Sequence, residues 1–497
     1  MIATLDDLSR LSNEGGGYFR LALHGVPELT CEEIVRRIPD RRLVCRGQWN
    51  GQAVYAKLFF GNEAQRYAAR DARGVRALMA AQIATPALLH VGDIGGGAGR
   101  VLIYAAIAPA QNAEQAWLAA DTARRAALAK ALVATVARQH AAGLVQTDLY
   151  LRNFLWAQDV VYTLDGDGIR KHRVLDQRSA LSNLALLLSK FDVMDDARLP
   201  ELLHVYAVGR GWPDGAALLP ELQAEVRVIR RRVAQQYSAR KVLRNCSDVR
   251  VEHDFSRFVA MERARLSPEL EQLIADPDAA LDAEDSIRLK NGNTCTVGLV
   301  QAGARKVVVK RYNVKNFWHG LGRALRRTRA SVSWTNAHLL QMLGIPTPTP
   351  LALVERRWGW LRRQSYFVAE YVAGPDMAEV FADPAQTLER KRELAALMAA
   401  LLRKLCLLGI EHGDMKASNF LLVEGAPVVI DLDAMRQHAG AGPAQRRHAR
   451  DLRRFLANWQ QDPATLQMMK AALAAAYGND PVLAMAGIAE QGTSENT

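Results

Sequence analysis

Residues 405–434 read LCLLGIEHGDMKASNFLLVEGAPVVIDLDA, and residues 140–168 read HAAGLVQTDLYLRNFLWAQDVVYTLDGDG. At a fixed offset of 266 residues (414 minus 148), Asp148 aligns with Asp414, Gly143 with Gly409 and Asn153 with Asn419. Phe154 then falls on Phe420, Asp165 on Asp431 and Asp167 on Asp433. Each copy carries Gly, Asp five residues on, Asn five further and Asp twelve beyond that. The chain is therefore an internal duplication, and self-similarity of this kind decides the architecture before any single element does.

The flanks repeat as well. A helical pattern precedes each motif, Asp121 to Ala142 and Thr387 to Leu408, and each run ends at Gly143 or Gly409, the residue type that commonly follows a helix. Upstream, QIATPALL around Ile83 matches GIPTPTPL around Ile345. Further upstream, AVYAKLF with Lys57 matches KVVVKRY with Lys310, and such Val/Tyr/Ala runs read as strands. Each half thus reads as strands with a lysine, a helix, more strands, a long helix, an aspartate loop, a short hairpin and a second aspartate. The expected class is α+β, with two tandem domains that each have a β-rich lobe and a mostly helical lobe. The expected boundaries are 1–245 for the first domain, 246–285 for a linker (ADPDAALDAEDS is small, acidic and turn-rich), 286–490 for the second domain and 491–497 for a flexible tail.

Composition narrows the class. The chain has 497 residues, is 49% hydrophobic and 23% charged, and has a formal net charge of +12, which fits folded globular domains and not a disordered chain. The nearest approach to a membrane span, Val101 to Ala113, is too short and contains Pro109. The start, MIATLDDLSRL, has no basic segment of the secretory kind, and the five cysteines are scattered, with neither a disulfide nor a zinc pattern. The expected compartment is the cytoplasm. Basic residues cluster at Val226–Arg244 and Arg305–Arg329, stretches without a single acid. The second includes NFWHGLGRALRRTRASVSW, which combines Phe317, Trp318 and Leu321 with Arg323, Arg326, Arg327 and Arg329, a composition that reads either as a dock for an anionic membrane surface or as an ordinary basic helix. Nucleic acid is not expected, because no interleaved aromatic platform accompanies the charge. Trp358 and Trp360 are expected to pack in a hairpin, and Cys406 in the apolar face of the long helix. RRHARDLRRF around Asp451 reads as a solvated helix or as a dock for an anionic substrate.

The repeated residues suit phosphoryl transfer, which needs cations on a triphosphate and a carboxylate to receive the acceptor's proton. Asp-x4-Asn on one tight loop can turn the aspartate to the acceptor and the asparagine carbonyl to a metal. A second aspartate after the hairpin adds a charged magnesium ligand, and the strand lysine can reach the α/β-phosphates. The two copies match this set unevenly. HGDMKASN supplies His412, Asp414, Lys416 and Asn419, followed by Asp431. QTDLYLRN supplies Asp148 and Asn153, followed by Asp165, but Gln146 replaces the histidine and Tyr150 the lysine. A helix acid to hold the strand lysine shows the opposite imbalance: Asp71 fits as partner for Lys57, whereas the same count in the second half lands on Ser333, leaving that acid unassigned. Neither half has a GxGxxG; NGNTCTVG and RGQWNG are only weak hairpin signals.

With these residues in view, the second half resembles the lipopolysaccharide kinase (Kdo/WaaP) family of Kdo and heptose kinases. The resemblance is carried by VVVKRYN, the FWHGLGRALRRTRASVSWTNAH segment, GIPTPTPLALVE, YFVAEYV, HGDMKASNFLL and VIDLDAM. The first half is similar but more diverged, through VYAKLF, IATPALL, QTDLYLRNFL and YTLDGDGIR. The resemblance implies a protein-kinase-like fold in each half, ATP and Mg2+ as cofactors, and an inner-core sugar hydroxyl as acceptor. It implies Asp414 as catalytic base, with Lys416 beside it, Asn419 and Asp431 as metal ligands and Lys310 as the phosphate lysine. Asp148, Asn153, Asp165 and Lys57, with Asp71, would repeat those roles. It also implies work at the cytoplasmic face of the inner membrane, peripherally attached. Two other classes stay open: a protein kinase, which the lack of an APE-like segment disfavours, and a pseudokinase or scaffold with one or both halves inactive.

Overall fold

The computed structural model describes residues 3–14, 17–94, 98–292, 294–313 and 327–488. By contact the chain divides into two compact units, Met1–Phe191 with Asp195–Arg230, and Asp192–Met194 with Arg231–Thr497. The division falls inside one helix, Leu219–Arg240.

The first unit opens with a six-stranded antiparallel sheet. Its edge-to-edge order is Phe19–Leu23, Val26–Ile38, Arg42–Trp49, Gln52–Phe59, Gly99–Ala105 and Leu88–Ile94. The strand Gln52–Phe59 is central and pairs Lys57 with Val44 on one side and Leu102 on the other. Val54, Ala56 and Leu58 are fully buried, alternating with Tyr55 and Lys57 as a pleat requires. The helix Ala64–Ala80 packs beside this sheet through Ala64, Ala68, Ala72 and Val75. The helical lobe follows, with Thr122–Ala141, Gln177–Leu188, Leu199–Arg210 and the first part of Leu219–Arg240.

The second unit repeats the plan with a seven-stranded antiparallel sheet. Its order is Val249–His253, Arg257–Glu262, Pro350–Trp358, Leu361–Glu370, Arg305–Tyr312, Cys295–Ala302 and Ile287–Asn291. Residues 246–285, expected as a linker, therefore belong to the domain. Val249–His253 forms one edge of the sheet, Arg257–Glu262 pairs with Pro350–Trp358, and the helices Pro268–Ala275 and Pro277–Asp282 bury Leu270, Leu273, Ile274 and Leu281 against it. The small, acidic stretch that suggested a linker holds the second of these helices, and each of the two is started by an acceptor side chain (Ser267, Asp276) and a proline.

The two long helices run Thr122–Ala141 and Leu388–Leu407, capped by Asp121 and Thr387, whose side chains accept from the N–H of Arg124 and Arg390. Leu394, Met398, Leu401, Leu402 and Leu405 of the second helix enter the core of the helical lobe, each worth about 2 kcal/mol of burial. Cys406 packs against that core while only partly buried. Both helices stop at a glycine with φ near +70°, Gly143 (+69°) and Gly409 (+66°). At both positions a side chain would be strained, and a Cβ would also meet the carbonyl of His172 or His438. The chain thereby turns straight into the aspartate loop.

Trp358 and Trp360 do not pack as expected. They are 65% and 87% exposed at the tip of their hairpin, beside the 66% exposed Phe255 of the neighbouring hairpin. No helix of the described residues is long and apolar enough to cross a membrane.

Candidate active sites

In each unit three elements converge: the lysine strand, the helix after it, and the loop–hairpin pair bearing the Asp, Asn and second Asp. In the first unit Lys57 Nζ lies 2.6 Å from Asp71 Oδ2 and 3.4 Å from Asp165 Oδ1. Tyr104 O–H donates to the other oxygen of Asp71 at 2.8 Å, so the fully buried Asp71 is satisfied on both sides. Burial works against charge on Lys57, but Asp71 and then Asp165 outweigh it and raise its pKa. Burial likewise pushes Asp165 up, yet Lys57 and Arg42 hold it below the usual carboxylate range. Asp167 is taken by Arg70, one residue before Asp71, through two N–H groups, the Nη2 bond measuring 2.8 Å.

The approach of this helix to the aspartate turn depends on two glycines. A Cβ on Gly74 would sit 2.0 Å from the carbonyl oxygen of Gly166, and one on Gly166 would sit 2.2 Å from that of Asp71. No side chain fits between the helix and the turn.

The second unit solves the same contact differently. Asn336 lies on the helix Arg329–Met342, and its Nδ2 donates to the carbonyls of Leu432 (2.9 Å) and Met435 (3.0 Å). Ser333, where the helix acid was sought, exchanges a 2.9 Å hydrogen bond with Tyr312 O–H and does not reach the lysine. Lys310 instead contacts both aspartates of the turn, Asp431 closely and Asp433 at 2.9 Å. Arg329 joins Asp433 at 2.8 Å. Burial opposes charge on Lys310, but Tyr312, Asp431 and Asp433 raise its pKa regardless. Burial also pushes Asp433 up, and Lys310 and Arg329 bring it below its usual value. Asp431 stands at φ +61°, a left-handed conformation rare for a residue with a side chain, whereas Asp165 is extended at φ −114°.

The loops share one bond. Asn153 Nδ2 donates to the Asp148 carbonyl and Asn419 Nδ2 to the Asp414 carbonyl, both at 2.7 Å. That bond commits each amide nitrogen and leaves each Oδ1 as an acceptor. Around the carboxylates the copies differ. Asp414 is flanked by Lys416 at 3.3 Å and by Arg454, which closes on its other oxygen. In the first unit Tyr150 occupies the place of Lys416, and Lys190 Nζ lies 4.4 Å over its ring. Burial lowers the pKa of Lys190, partly countered by Asp148.

The loop anchors differ in polarity too. Asp451, read from sequence as part of a solvated or docking helix, is buried; its carboxylate accepts the N–H groups of His412 (2.7 Å) and Gly413 (3.2 Å). Burial raises its pKa against those donors. His412 Nε2 donates to the Ile430 carbonyl at 3.0 Å, tying the loop to the strand that delivers Asp431. In the first unit Asn183 donates to the Gln146 carbonyl at 3.0 Å, and the fully buried Gln146 side chain has no partner for either amide atom.

Among the described residues no group of three His, Cys, Asp or Glu could hold a metal by itself. The free Asn419 Oδ1 and the Asp431 carboxylate are hard oxygen donors of the kind Mg2+ accepts when phosphate and water complete its shell. The donor set thus fits a nucleotide-bound magnesium ion. Of the arginines expected at a membrane, Arg323 and Arg326 lie outside the described residues, as do Phe317, Trp318 and Leu321. Arg327 donates to the Ala239 carbonyl and Arg329 pairs with Asp433, so both serve the fold.

The family model of the lipopolysaccharide kinase (Kdo/WaaP) family matches residues 42–198 and again 282–477. No curated protein matches the chain. Among solved structures the chain is similar to the Mycobacterium tuberculosis PknI kinase domain, at 15% identity and a TM-score of 0.25, over 36% of this chain and 76% of that one. The double match of the family model coincides with the two copies, each a β-rich lobe followed by a helical lobe.

Proposed function

The chain belongs to the lipopolysaccharide kinase (Kdo/WaaP) family, and from that premise we propose that it transfers the γ-phosphate of ATP to a sugar hydroxyl, heptose or Kdo, of the lipopolysaccharide inner core. The observation that carries the reading is the second loop. Asp414 stands between Lys416 and Arg454, with Asn419 Oδ1 free and Asp431 at the end of the next hairpin. Asp414 accepts the proton of the acceptor hydroxyl as its oxygen attacks the γ-phosphorus and ADP departs. Lys416 and Arg454 offset the charge on the transferring phosphoryl group. Lys310 holds the α/β-phosphates. Asn419 and Asp431 would hold Mg2+, which supplies charge neutralisation across the phosphates.

Asp148, Asn153, Asp165, Lys57 and Asp71 give the first unit the same nucleotide-binding set. A second reading, that this unit binds ATP without transferring phosphate, is favoured by Tyr150 in the place of Lys416 and by the unpartnered Gln146. An acceptor carried on a lipid puts the reaction at the cytoplasmic face of the inner membrane.

The test is labelled phosphate transfer from ATP to purified inner-core lipopolysaccharide by wild type, Asp148→Ala, Asp414→Ala and the double variant. Asp414→Ala is expected to cost roughly 10²-fold or more, the usual worth of a general base. Full activity in Asp414→Ala, with loss in Asp148→Ala, would transfer the assignment to the first unit. Phosphate passing only to protein would replace the acceptor class.

A further inference from the structure

We propose that Asp433 is the positioning residue for Lys310, doing in the second unit what the helix carboxylate Asp71 does in the first. The proposal rests on the nucleotide reading above and names a residue that reading did not use. A buried ammonium needs a lasting counter-charge. Lys57 has one: Asp71, fully buried and fixed by Tyr104. Lys310 has no such group on its helix, because Ser333 is spent on Tyr312. Asp431 cannot serve throughout, since it would be needed at the metal when nucleotide is bound. Asp433 remains. Its side chain is 7% exposed, it lies 2.9 Å from Lys310 and 2.8 Å from Arg329, and its turn is clamped on either side by Asn336 through Leu432 and Met435. The equivalent Asp167 never reaches Lys57, for Arg70 holds it. The helix of the second unit thus fixes the turn, and the turn supplies the charge.

The experiment measures ATP affinity by calorimetry on the full chain carrying Lys57→Ala, so that the second site alone reports. Asp433→Asn is expected to weaken ATP roughly tenfold, the worth of one charge-assisted hydrogen bond. Adding Ser333→Asp, which returns a carboxylate to the helix, is expected to recover most of that loss. In the reciprocal background, Lys310→Ala, the change Asp167→Asn is expected to leave the first site unaltered. Melting temperature and circular dichroism identify any chain that fails to fold, and Arg329→Ala then tests Asp433 without touching it, with a smaller loss expected. Unchanged ATP affinity in folded Asp433→Asn overturns the proposal, as does a loss that Ser333→Asp leaves untouched. ATP binding with this pattern but no phosphate on core sugar overturns the acceptor reading and upholds the role of Asp433.

Discussion

At the scale of single residues, the candidate site depends on anchors as well as on the groups proposed to react. Asp451 satisfies two backbone N–H groups of the loop that presents Asp414. Asp451→Ala leaves both donors buried without an acceptor and is expected to destabilise the second unit by about 2 kcal/mol. Phosphate transfer should fall with it, while wild-type melting behaviour in the variant would show that water replaces the carboxylate. The candidate residues of the two loops were legible as a repeated set because their spacing is local: Gly, Asp, Asn and Asp recur at set intervals on a short piece of chain. Asp433 and Asp451 were not legible as functional groups. Their roles depend on which distant donors fold onto them, Lys310 for one and the N–H groups of His412 and Gly413 for the other, and no local spacing records that.

At the scale of elements, the contact between the helix that follows the lysine strand and the aspartate turn is made twice by different means. Gly74 against Gly166 removes every side-chain atom from the interface, while Asn336 spans the interface with two hydrogen bonds. Gly74→Ala places a methyl 2.0 Å from a carbonyl oxygen. The helix must then withdraw and take Asp71 from Lys57. The expected result is a loss of first-unit stability of about 1–3 kcal/mol together with weaker ATP binding at that unit. Differential scanning calorimetry with and without ATP reads both, and a melting profile unchanged from wild type would mean that the helix accommodates the methyl without moving. The long helices were legible to within a residue, since cap, apolar spacing and terminal glycine agree. The strands Val249–His253 and Arg257–Glu262 were missed because they are short and interspersed with charge, and the second of them takes its register from Pro350–Trp358 almost a hundred residues on. The exposed tryptophans were misread for a related reason: a hairpin tip gives no sequence sign of whether its rings turn in or out.

At the scale of the whole molecule, the two units differ in what they retain. The first keeps the lysine–helix acid pair, and the second keeps the histidine and lysine of the aspartate loop. On the proposed reading, each retains a strand lysine for the α/β-phosphates and an Asn–Asp pair for the metal. Wild type is therefore expected to bind two ATP per chain, and Lys57→Ala and Lys310→Ala one each, by titration calorimetry. A stoichiometry of one in wild type would restrict binding to a single unit. Fold class and duplication were legible at this scale because a repeated pattern outlasts divergence at single positions; the domain boundary was not, because it runs through the helix Leu219–Arg240 with no break in composition. The displaced carboxylate on Lys310 bears on how degenerate kinases are recognised. A census that declares such a unit dead when one alignment column has lost its acid would discard this one, although the charge persists under a different address. In the second unit the carboxylates facing the lysine come from the turn and none from the helix, so the safer inventory counts counter-ions around the lysine in space.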